Sequence, residues 1–378
     1  MLYALLDWLD ELFNIPGLGA FDFITTRTAF AAATALIISL LIGQSIIKWL
    51  KKMQLQETIR DDIGLDSHLS KAKTPTMGGV IIILATVIPA LLFMDMTNIY
   101  TWMIVFVMVI LGSVGFIDDY IKVVKKDKSG LQGWFKVAGQ VTVGLFIGSL
   151  LYWWPDFQDF NTLSTVPFLK DVNIDYAFFS ETFGWIVYIP VVIFIITAVS
   201  NAANLTDGLD GLAAGTSAIA GIILGIFAYV SGRVDFSSFL DIMYIPGSGE
   251  LTIFAASLVG ACLGFLWHNS HPASVFMGDT GSLAIGGALG ALALMIHKEL
   301  LLPIICGIFF VETLSVIIQT TWFKYTKRKY GEGRRVFLMT PIHHHFEKKG
   351  WPESKIVVRF WIIAILIGII SLLTLKIR

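Results

Sequence analysis

Ten long apolar stretches divide this chain, and they limit its possible folds more than any other feature. A bilayer core of about 30 Å is crossed by roughly 20 apolar residues in a helix. Only 15% of the 378 residues are charged, against roughly a quarter in soluble domains, so a polar surface shell cannot form. We therefore predict an all-α integral membrane protein, a single polytopic domain over residues 1–378 with about ten transmembrane helices. The predicted spans are residues 26–50, 77–95, 100–122, 134–154, 183–200, 211–231, 250–268, 280–297, 300–324 and 356–376.

The basic residues are distributed unevenly between the connections, and this bias orients the predicted spans. If the N-terminus lies outside, the connections that face inward hold 21 of the 27 Lys and Arg residues. Basic residues in short connections are retained on the cytoplasmic side of a membrane. We therefore expect both termini on the periplasmic side and the connection 324–355 in the cytoplasm.

The first sixteen residues have a pattern of their own. Leucines recur at helical spacing there, with acidic residues between them, as far as Pro16 and Gly17. This spacing is typical of a short amphipathic helix lying at the periplasmic interface, although a frayed amphipathic start would show it too. The segment lacks the basic region and small-residue cleavage site of a signal peptide.

A basic, glycine-containing loop follows the first span. Residues 70–79 read SKAKTPTMGG, with Lys71 and Lys73 before a Thr-Pro turn and a glycine pair. Glycines in such a loop let backbone N–H groups approach an anion, as in phosphate-binding loops. A basic loop that simply leads into a helix is the alternative interpretation.

Two adjacent carboxylates end the third predicted span. Asp118 and Asp119 lie at the edge of an apolar run, in GFIDDYIKVVKKDKSG, where an unpaired charge costs roughly 2.5–3.5 kcal/mol. The following lysines or a divalent cation would compensate this cost. Mg²⁺ is commonly bound by one or two carboxylates together with substrate phosphates. An interfacial helix end with snorkelling lysines would also explain the pair.

The connection at residues 200–215, SNAANLTDGLDGLAAG, contains acidic and amide side chains but no Lys or Arg. Asp207 and Asp210 are three residues apart, so a helical turn would place both on one face. A plain turn, or a helix cap at Thr206 or Asp207, is the alternative.

Histidines mark the two remaining inward connections. Residues 267–282, WHNSHPASVFMGDTGS, bring Asn269 and Asp279 to the start of the next span, where Asp279 would also serve as a helix cap. Residues 341–350, PIHHHFEKKG, contain three consecutive histidines, which cannot share one helical face and so do not form a three-histidine zinc site. We expect a loop whose rings point at different phosphate or sugar oxygens.

Together these segments resemble one family, the bacterial phospho-N-acetylmuramoyl-pentapeptide transferases of the polyprenyl-phosphate N-acetylhexosamine-1-phosphate transferase superfamily. Related transferases that load N-acetylglucosamine phosphate are similar at the Asp-Asp and Asp-containing loops, but SKAKTPTMGG and PIHHHFE resemble the muramoyl-pentapeptide branch. Lys73 departs from the family, which commonly has glycine before Thr-Pro-Thr. The matching segments are SKAKTPTMGG, GFIDDYIK, NAANLTDGLDGLA, FMGDTGSLA, VETLSVIIQ and PIHHHFE.

The resemblance implies an activity: UDP-N-acetylmuramoyl-pentapeptide and undecaprenyl phosphate give lipid I and UMP, with Mg²⁺ as cofactor. It implies the bacterial cytoplasmic membrane as the location and no nucleic-acid partner, and it leaves open whether the protein is a homodimer. By resemblance, the catalytic residues are Asp118, Asp119, Asp279, Lys122, Lys136 and His344, and the metal ligands are Asp279, Asp119 and Asp207. The substrate-binding residues are Lys71, Thr76, Asn204, Asp207, Asp210, Asn269, Phe276, His343 and His345.

The main alternative is a transporter, because many spans interrupted by glycine also mark carriers. A carrier should place its polar groups near the middle of the bilayer, whereas the acids here cluster at the inward ends of spans. Glu312 and Gln319 are the main deep polar residues, seven apart on one helix face, where they would pack internally or line a lipid groove. A structural scaffold would leave the buried acids without a role.

Overall fold

The protein is an all-α membrane protein, as the apolar stretches predict. The computed structural model describes residues 1–53, 74–125, 127, 129–158, 160–169, 172–180 and 182–376. Its helices are α1 Leu2–Phe13, α2 Ile24–Lys52, α3 Gly79–Phe93, α4 Ile99–Val123, α5 Gly133–Trp153, α6 Trp185–Thr206, α7 Leu212–Ser231, α8 Val234–Leu240, α9 Glu250–Asn269, α10 Gly278–Met295, α11 Leu302–Ile305, α12 Gly307–Tyr330, α13 Ile342–Lys348 and α14 Glu353–Leu373. Two short strands, β1 Leu163–Thr165 and β2 Asn173–Asp175, form an antiparallel hairpin between α5 and α6.

Each of the ten predicted spans contains a helix, but not all of these helices are long enough to cross a bilayer alone. Within the described residues, eight are long and apolar enough, and a bent pair makes a ninth. Helix α3 has 15 residues, which corresponds to about 22 Å of rise and is shorter than the hydrocarbon core. The structure therefore supports eight or nine full spans and one short apolar helix.

The predicted span 300–324 is broken rather than straight. A 3₁₀ turn, Glu299–Leu301, leads into α11, and α12 then leaves at an angle of 82°. The break falls at Cys306, between the Pro303 turn and Gly307, where Ile367 of α14 packs closely against the glycine. Proline and glycine are both weak helix formers, so the helix breaks where continuing it would stabilise the chain least.

Helix α10 lies at the centre of the bundle. It is buried over 89% of its apolar length, and it packs against α4 on one side and α6 on the other. Its sequence, GDTGSLAIGGALGALALM, is rich in glycine and alanine. Small residues let membrane helices approach closely, and this close packing brings the ends of α4 and α6 to the N-terminus of α10.

The hairpin β1–β2 packs on the turn that follows α10. His297 donates from Nδ1 to the carbonyl oxygen of Leu163 at 2.6 Å, and Lys298 donates to Thr165 Oγ1 at 2.7 Å. These contacts fasten the hairpin to one end of the bundle, at the far end of α10 from Asp279.

The orientation expected from the basic residues is testable by cysteine labelling. The two native cysteines, Cys262 and Cys306, are buried, so they contribute little background. We expect Glu332→Cys, in the exposed basic segment after α12, to react with an impermeant maleimide in inside-out vesicles only. Labelling from the outside of intact cells would reverse the proposed topology.

Candidate active site

The last turns of α4 carry the two adjacent carboxylates. Asp118 is fully buried and Asp119 is 3% exposed, although both lie near the end of the helix. Residues 118 and 119 point about 100° apart on a helix, so they meet different neighbours. Leu131 donates its backbone N–H to Asp118 Oδ1 at 2.8 Å, which folds the following connection back over this carboxylate.

Two lysines join Asp118 to a third carboxylate, Asp279. Lys122 Nζ lies 2.5 Å from Asp118 Oδ2 and 3.3 Å from Asp279 Oδ2. Lys136 of α5 lies 2.9 Å and 2.5 Å from the same two oxygens. Three carboxylates and two lysines leave the group with a formal charge of −1 when all are ionised, which favours a further cation.

Asp119 is held by the start of α10. Its oxygens accept hydrogen bonds from the backbone N–H groups of Asp279, at 3.2 Å, and Thr280, at 2.9 Å. The Thr280 hydroxyl adds a third bond at 2.7 Å. Free N–H groups at a helix N-terminus stabilise a negative charge, so the first turn of α10 is a suitable seat for this carboxylate.

Glycines allow the backbone segments around the carboxylates to approach one another. Gly115 of α4 lies directly against the carbonyl of Asp279, with no room for a Cβ atom. Gly278 has a φ of +72°, and a Cβ there would lie 2.5 Å from Asp119 Oδ2. The close contact between α4 and α10 therefore depends on glycine at these two positions, because a side chain at either would clash.

The glycine pair of the SKAKTPTMGG loop has a different use from the one expected. Gly78 N donates to Phe276 O at 2.8 Å and Gly79 N to Met277 O at 2.9 Å, while Phe276 N donates to Pro75 O. These amides therefore pair the loop with the segment before α10 and do not face an anion. This pairing favours the alternative interpretation, a loop that leads into a helix, over an anion-binding role for the two amides. Lys71 and Lys73 lie outside the described residues.

Asn204, in the last turn of α6, also reaches the carboxylates. Its Nδ2 donates to Asp279 Oδ1 at 2.8 Å and to Ser282 Oγ at 2.9 Å. Asp207 follows at the end of α6, in a turn rather than a helix, so it does not share a helical face with Asp210. The carboxylates that come within 4.8 Å of one another here are those of Asp118, Asp119 and Asp279, without Asp207.

A second polar group surrounds Asp210. Its Oδ2 lies 3.0 Å from His271 Nδ1 and accepts the backbone N–H of Ala273 at 3.1 Å. Its backbone N–H donates to Glu353 Oε1 at 2.7 Å. Asn269 is buried beside it, accepting from Gly211 N at 3.0 Å and donating to Val275 O at 2.9 Å. These contacts fasten the turn at 207–211 to the segment 269–275 and to the start of α14.

The three histidines lie on the short helix α13, not in a loop. Their rings still point in three directions, because successive residues are about 100° apart on a helix. His343 is fully buried, with Nδ1 3.1 Å from Glu312 Oε2 and its other edge against Gly208. His344 pairs with Glu347 at 2.6 Å, and His345 accepts the N–H of Leu338. The expectation that all three face substrate oxygens therefore fails for His343, whose position is inside the protein.

Glu312 and Gln319 pack internally, one of the two roles expected for them. Gln319 Oε1 accepts the backbone N–H groups of Val336 and Phe337, at 2.9 and 3.0 Å. Glu312 is fully buried against α13. Helix α12 thus holds the segment that leads to the histidines.

The structure brings most of the predicted site residues to the neighbourhood of the α10 N-terminus and the 207–211 turn. Phe276 is half-buried two residues before Gly278, and Thr76 is buried with its hydroxyl near the same glycine. Sequence reasoning missed Thr280, Glu353 and the contact role of His271. Of these, Thr280 was the easiest to predict from the sequence, because its hydroxyl side chain directly follows Asp279 at the start of a helix.

Two groups of side chains have the composition of a metal site. The first is Asp118, Asp119 and Asp279; the second is Asp210, His271 and Glu353. The first group consists of hard oxygen donors, and its three carboxylates outnumber the two neighbouring lysines. This composition suits a hard divalent cation beside phosphates. Its arrangement therefore supports charge neutralisation in a phosphoryl transfer.

The chain matches two family models, and it matches many curated relatives along its whole length. The family model described as glycosyl transferase family 4 matches residues 101–297, and a phospho-N-acetylmuramoyl-pentapeptide-transferase signature matches residues 71–83. The chain is 53% identical to a curated phospho-N-acetylmuramoyl-pentapeptide-transferase of Chloroherpeton thalassium, 52% to that of Salinibacter ruber and 51% to that of Flavobacterium psychrophilum. Each comparison covers 100% of both chains.

Proposed function

Because the chain belongs to the phospho-N-acetylmuramoyl-pentapeptide transferase family, a family of phosphoglycosyl transferases, we propose that it makes lipid I. It transfers phospho-N-acetylmuramoyl-pentapeptide from its UDP-activated form to undecaprenyl phosphate and releases UMP, at the inner face of the bacterial cytoplasmic membrane. The observation that carries this proposal is the acidic group Asp118, Asp119 and Asp279 beside Lys122 and Lys136 at the ends of membrane helices. A water-soluble nucleotide sugar and a membrane-held lipid phosphate can meet only at such an edge.

Mg²⁺ is the proposed cofactor, with Asp279 and Asp119 as its main ligands. When bound, the ion would neutralise charge on the pyrophosphate of the donor. Three carboxylates within reach of one another, at a formal excess of negative charge, support this assignment. Asp207 is a proposed second contact; its carboxylate is not part of the group of three, so it would reach the ion from the turn after α6.

The proposed mechanism is a single in-line displacement. An oxygen of the lipid phosphate attacks the β-phosphorus of the UDP-sugar, a new P–O bond forms, and the bond to the UMP oxygen breaks. A phosphate monoester has a second pKa near 6, so the nucleophile is largely dianionic at neutral pH and needs little help from a base. Asp118 accepts the residual proton or orients the lipid phosphate. Lys122, Lys136 and His344 offset the gathered negative charge.

The donor is proposed to lie along the second polar group. Lys71 meets its phosphates, Asp210 and Asn269 bond the uracil, and Phe276 stacks on the ring. Thr76, Asn204 and His345 are proposed as further substrate contacts, and His343 acts indirectly because it is buried. The half-buried position of Phe276, next to Asn269's partner Val275, supports this placement.

Removing the Phe276 ring should weaken the donor selectively. We expect Phe276→Ala to raise the KM for the UDP-sugar about tenfold, as loss of a base–aromatic stack costs roughly 1–3 kcal/mol, while the KM for the lipid stays within twofold. Phe276→Tyr, which keeps a ring, is the matched control and should stay near the parent value. Equal effects on both KM values would count against stacking, and a preference for UDP-N-acetylglucosamine would overturn the donor assignment.

The displacement mechanism is tested by incubating purified enzyme with the donor and Mg²⁺ but no lipid acceptor. Direct displacement predicts no stoichiometric release of UMP, because the nucleophile is absent. A burst of UMP equal to the enzyme concentration, with a phosphosugar adduct on an aspartate, would replace this mechanism by a two-step one. The same assay with undecaprenyl phosphate added shows that the preparation is active.

A further inference from the structure

The turn 207–211 carries Asp210 but has little regular structure of its own. It connects α6 and α7, and its residues form turns without a helix or strand. A segment of this kind is positioned by whatever it contacts, since it has no backbone ladder to hold it. Three of its contacts come from outside: Asn269 on Gly211, His343 on Gly208 and Glu353 on Asp210.

Glu353 makes the contact that bears most directly on Asp210. It lies in the first turn of α14 and is 8% exposed. Its Oε1 accepts the backbone N–H of Asp210 at 2.7 Å, and its Oε2 lies 3.4 Å from His271 Nδ1. His271 in turn lies 3.0 Å from the carboxylate of Asp210. Glu353 therefore holds the backbone of Asp210 directly, and its second oxygen lies beside the imidazole that pairs with the Asp210 side chain.

The direction of the Asp210 side chain follows from this arrangement. Asp210 Oδ2 is occupied by His271 and by the N–H of Ala273, on one side of the carboxylate. With Oδ2 held and the backbone N–H anchored, rotation of the side chain is restricted. A restricted acceptor loses less conformational freedom on binding a partner than a mobile one.

We propose that Glu353, acting with His271, is a positioning residue that sets Asp210 for recognition of the donor nucleotide. This inference rests on the proposed function, because it takes Asp210 as a contact of the uracil. Glu353 lies in the helix start that follows the histidine segment, 143 residues along the chain from Asp210. The C-terminal part of the chain thus contributes to donor binding without joining the acidic group at Asp118, Asp119 and Asp279.

The test uses the full-length protein in detergent and three variants of acidic residues. Glu353→Ala removes the acceptor and should raise the KM for the UDP-sugar about tenfold, as expected when a buried N–H loses its partner, with kcat and the lipid KM within about twofold. Glu353→Gln keeps an oxygen for Asp210 N, so its KM for the donor should rise about threefold or less. Glu332→Ala removes an exposed acid on the same side of the membrane and should have no effect.

A purely structural role for Glu353 predicts a different result. Glu353→Ala would then lower the unfolding temperature, kcat and both substrate affinities together, and Glu353→Gln would not restore the donor KM. Either that pattern or an unchanged donor KM in Glu353→Ala overturns the proposal. Asp210→Ala, measured in parallel, distinguishes failure of the proposed uracil contact from failure of the positioning role. If it leaves the donor KM unchanged, the proposed uracil contact has failed. If it raises this KM while Glu353→Ala does not, only the positioning role has failed.

Discussion

Asp279→Asn is expected to reduce kcat by more than about 10³-fold, the largest effect of any single substitution in the acidic group. Asp279 Oδ2 contacts both Lys122 and Lys136, and Oδ1 accepts from Asn204. Removing its charge leaves two cations facing one remaining partner, Asp118, and takes away a proposed metal ligand. Losing one acid–base or charge-stabilising group typically costs about 10²–10⁴-fold, and Asp279 both pairs with two lysines and is a proposed metal ligand.

The comparison with Asp118→Asn distinguishes the two carboxylates. That variant should lose about 10²–10⁴-fold in kcat without losing donor binding, because its proposed task concerns the lipid phosphate. Raising the Mg²⁺ concentration should partly restore Asp279→Asn and leave Asp118→Asn unchanged. Asp127→Asn is the control, because this exposed carboxylate bonds only Ser129 among the contacts that the structure gives it, and those bonds lower the pKa of Asp127. Equal losses and equal rescue in Asp118→Asn and Asp279→Asn would contradict the division of roles.

Gly278→Ala is expected to reduce transfer by at least about 10²-fold, although it adds only a methyl group. The φ of +72° at this residue costs an L-amino acid roughly 1–2 kcal/mol. The added Cβ would also lie 2.5 Å from Asp119 Oδ2 and 2.8 Å from Thr76 Oγ1. Asp119 must then move away from the N-terminus of α10, and a displacement of about 1 Å can cost about 10²-fold in rate.

Gly331→Ala separates backbone strain from crowding. Gly331 ends α12 with a φ of +82°, but a Cβ there would meet nothing within 4 Å. It should therefore show the strain alone, as a small fall in the unfolding temperature with kcat within twofold. The measurement is kcat in detergent together with thermal unfolding of both variants. Similar kcat values for the two would show that crowding at Asp119 does not matter.

The candidate catalytic residues could be recognised in the sequence because charged side chains are unusual at the edges of membrane spans. Asp118 and Asp119 stand at the edge of an apolar run, where an uncompensated carboxylate is costly. The same reasoning pointed to Asp207, Asp210 and Asp279 at span ends. It did not reveal Glu353, which lies among charged residues at the start of α14 and has no such contrast with its neighbours.

Local composition does not decide the structure of two segments. For the 70–79 loop the contacts favour a loop that leads into a helix, because Gly78 and Gly79 pair with Phe276 and Met277. The histidine run is expected in a loop, but it forms the helix α13. In both cases the backbone N–H groups form hydrogen bonds within the protein, and these bonds decide the local structure.

The sequence alone determined the helical spans, their approximate limits and the concentration of acids at one set of ends. Whether an apolar stretch inserts into the membrane depends on its own transfer free energy, which is a sum over its residues. Only the tertiary structure decided which ends meet: Asp119 with Asp279, 160 residues away, and Asp210 with Glu353. It also decided the 82° break at Cys306. These pairings depend on close helix contacts such as Gly115 on Asp279, and no hydropathy pattern encodes which small residues will face each other.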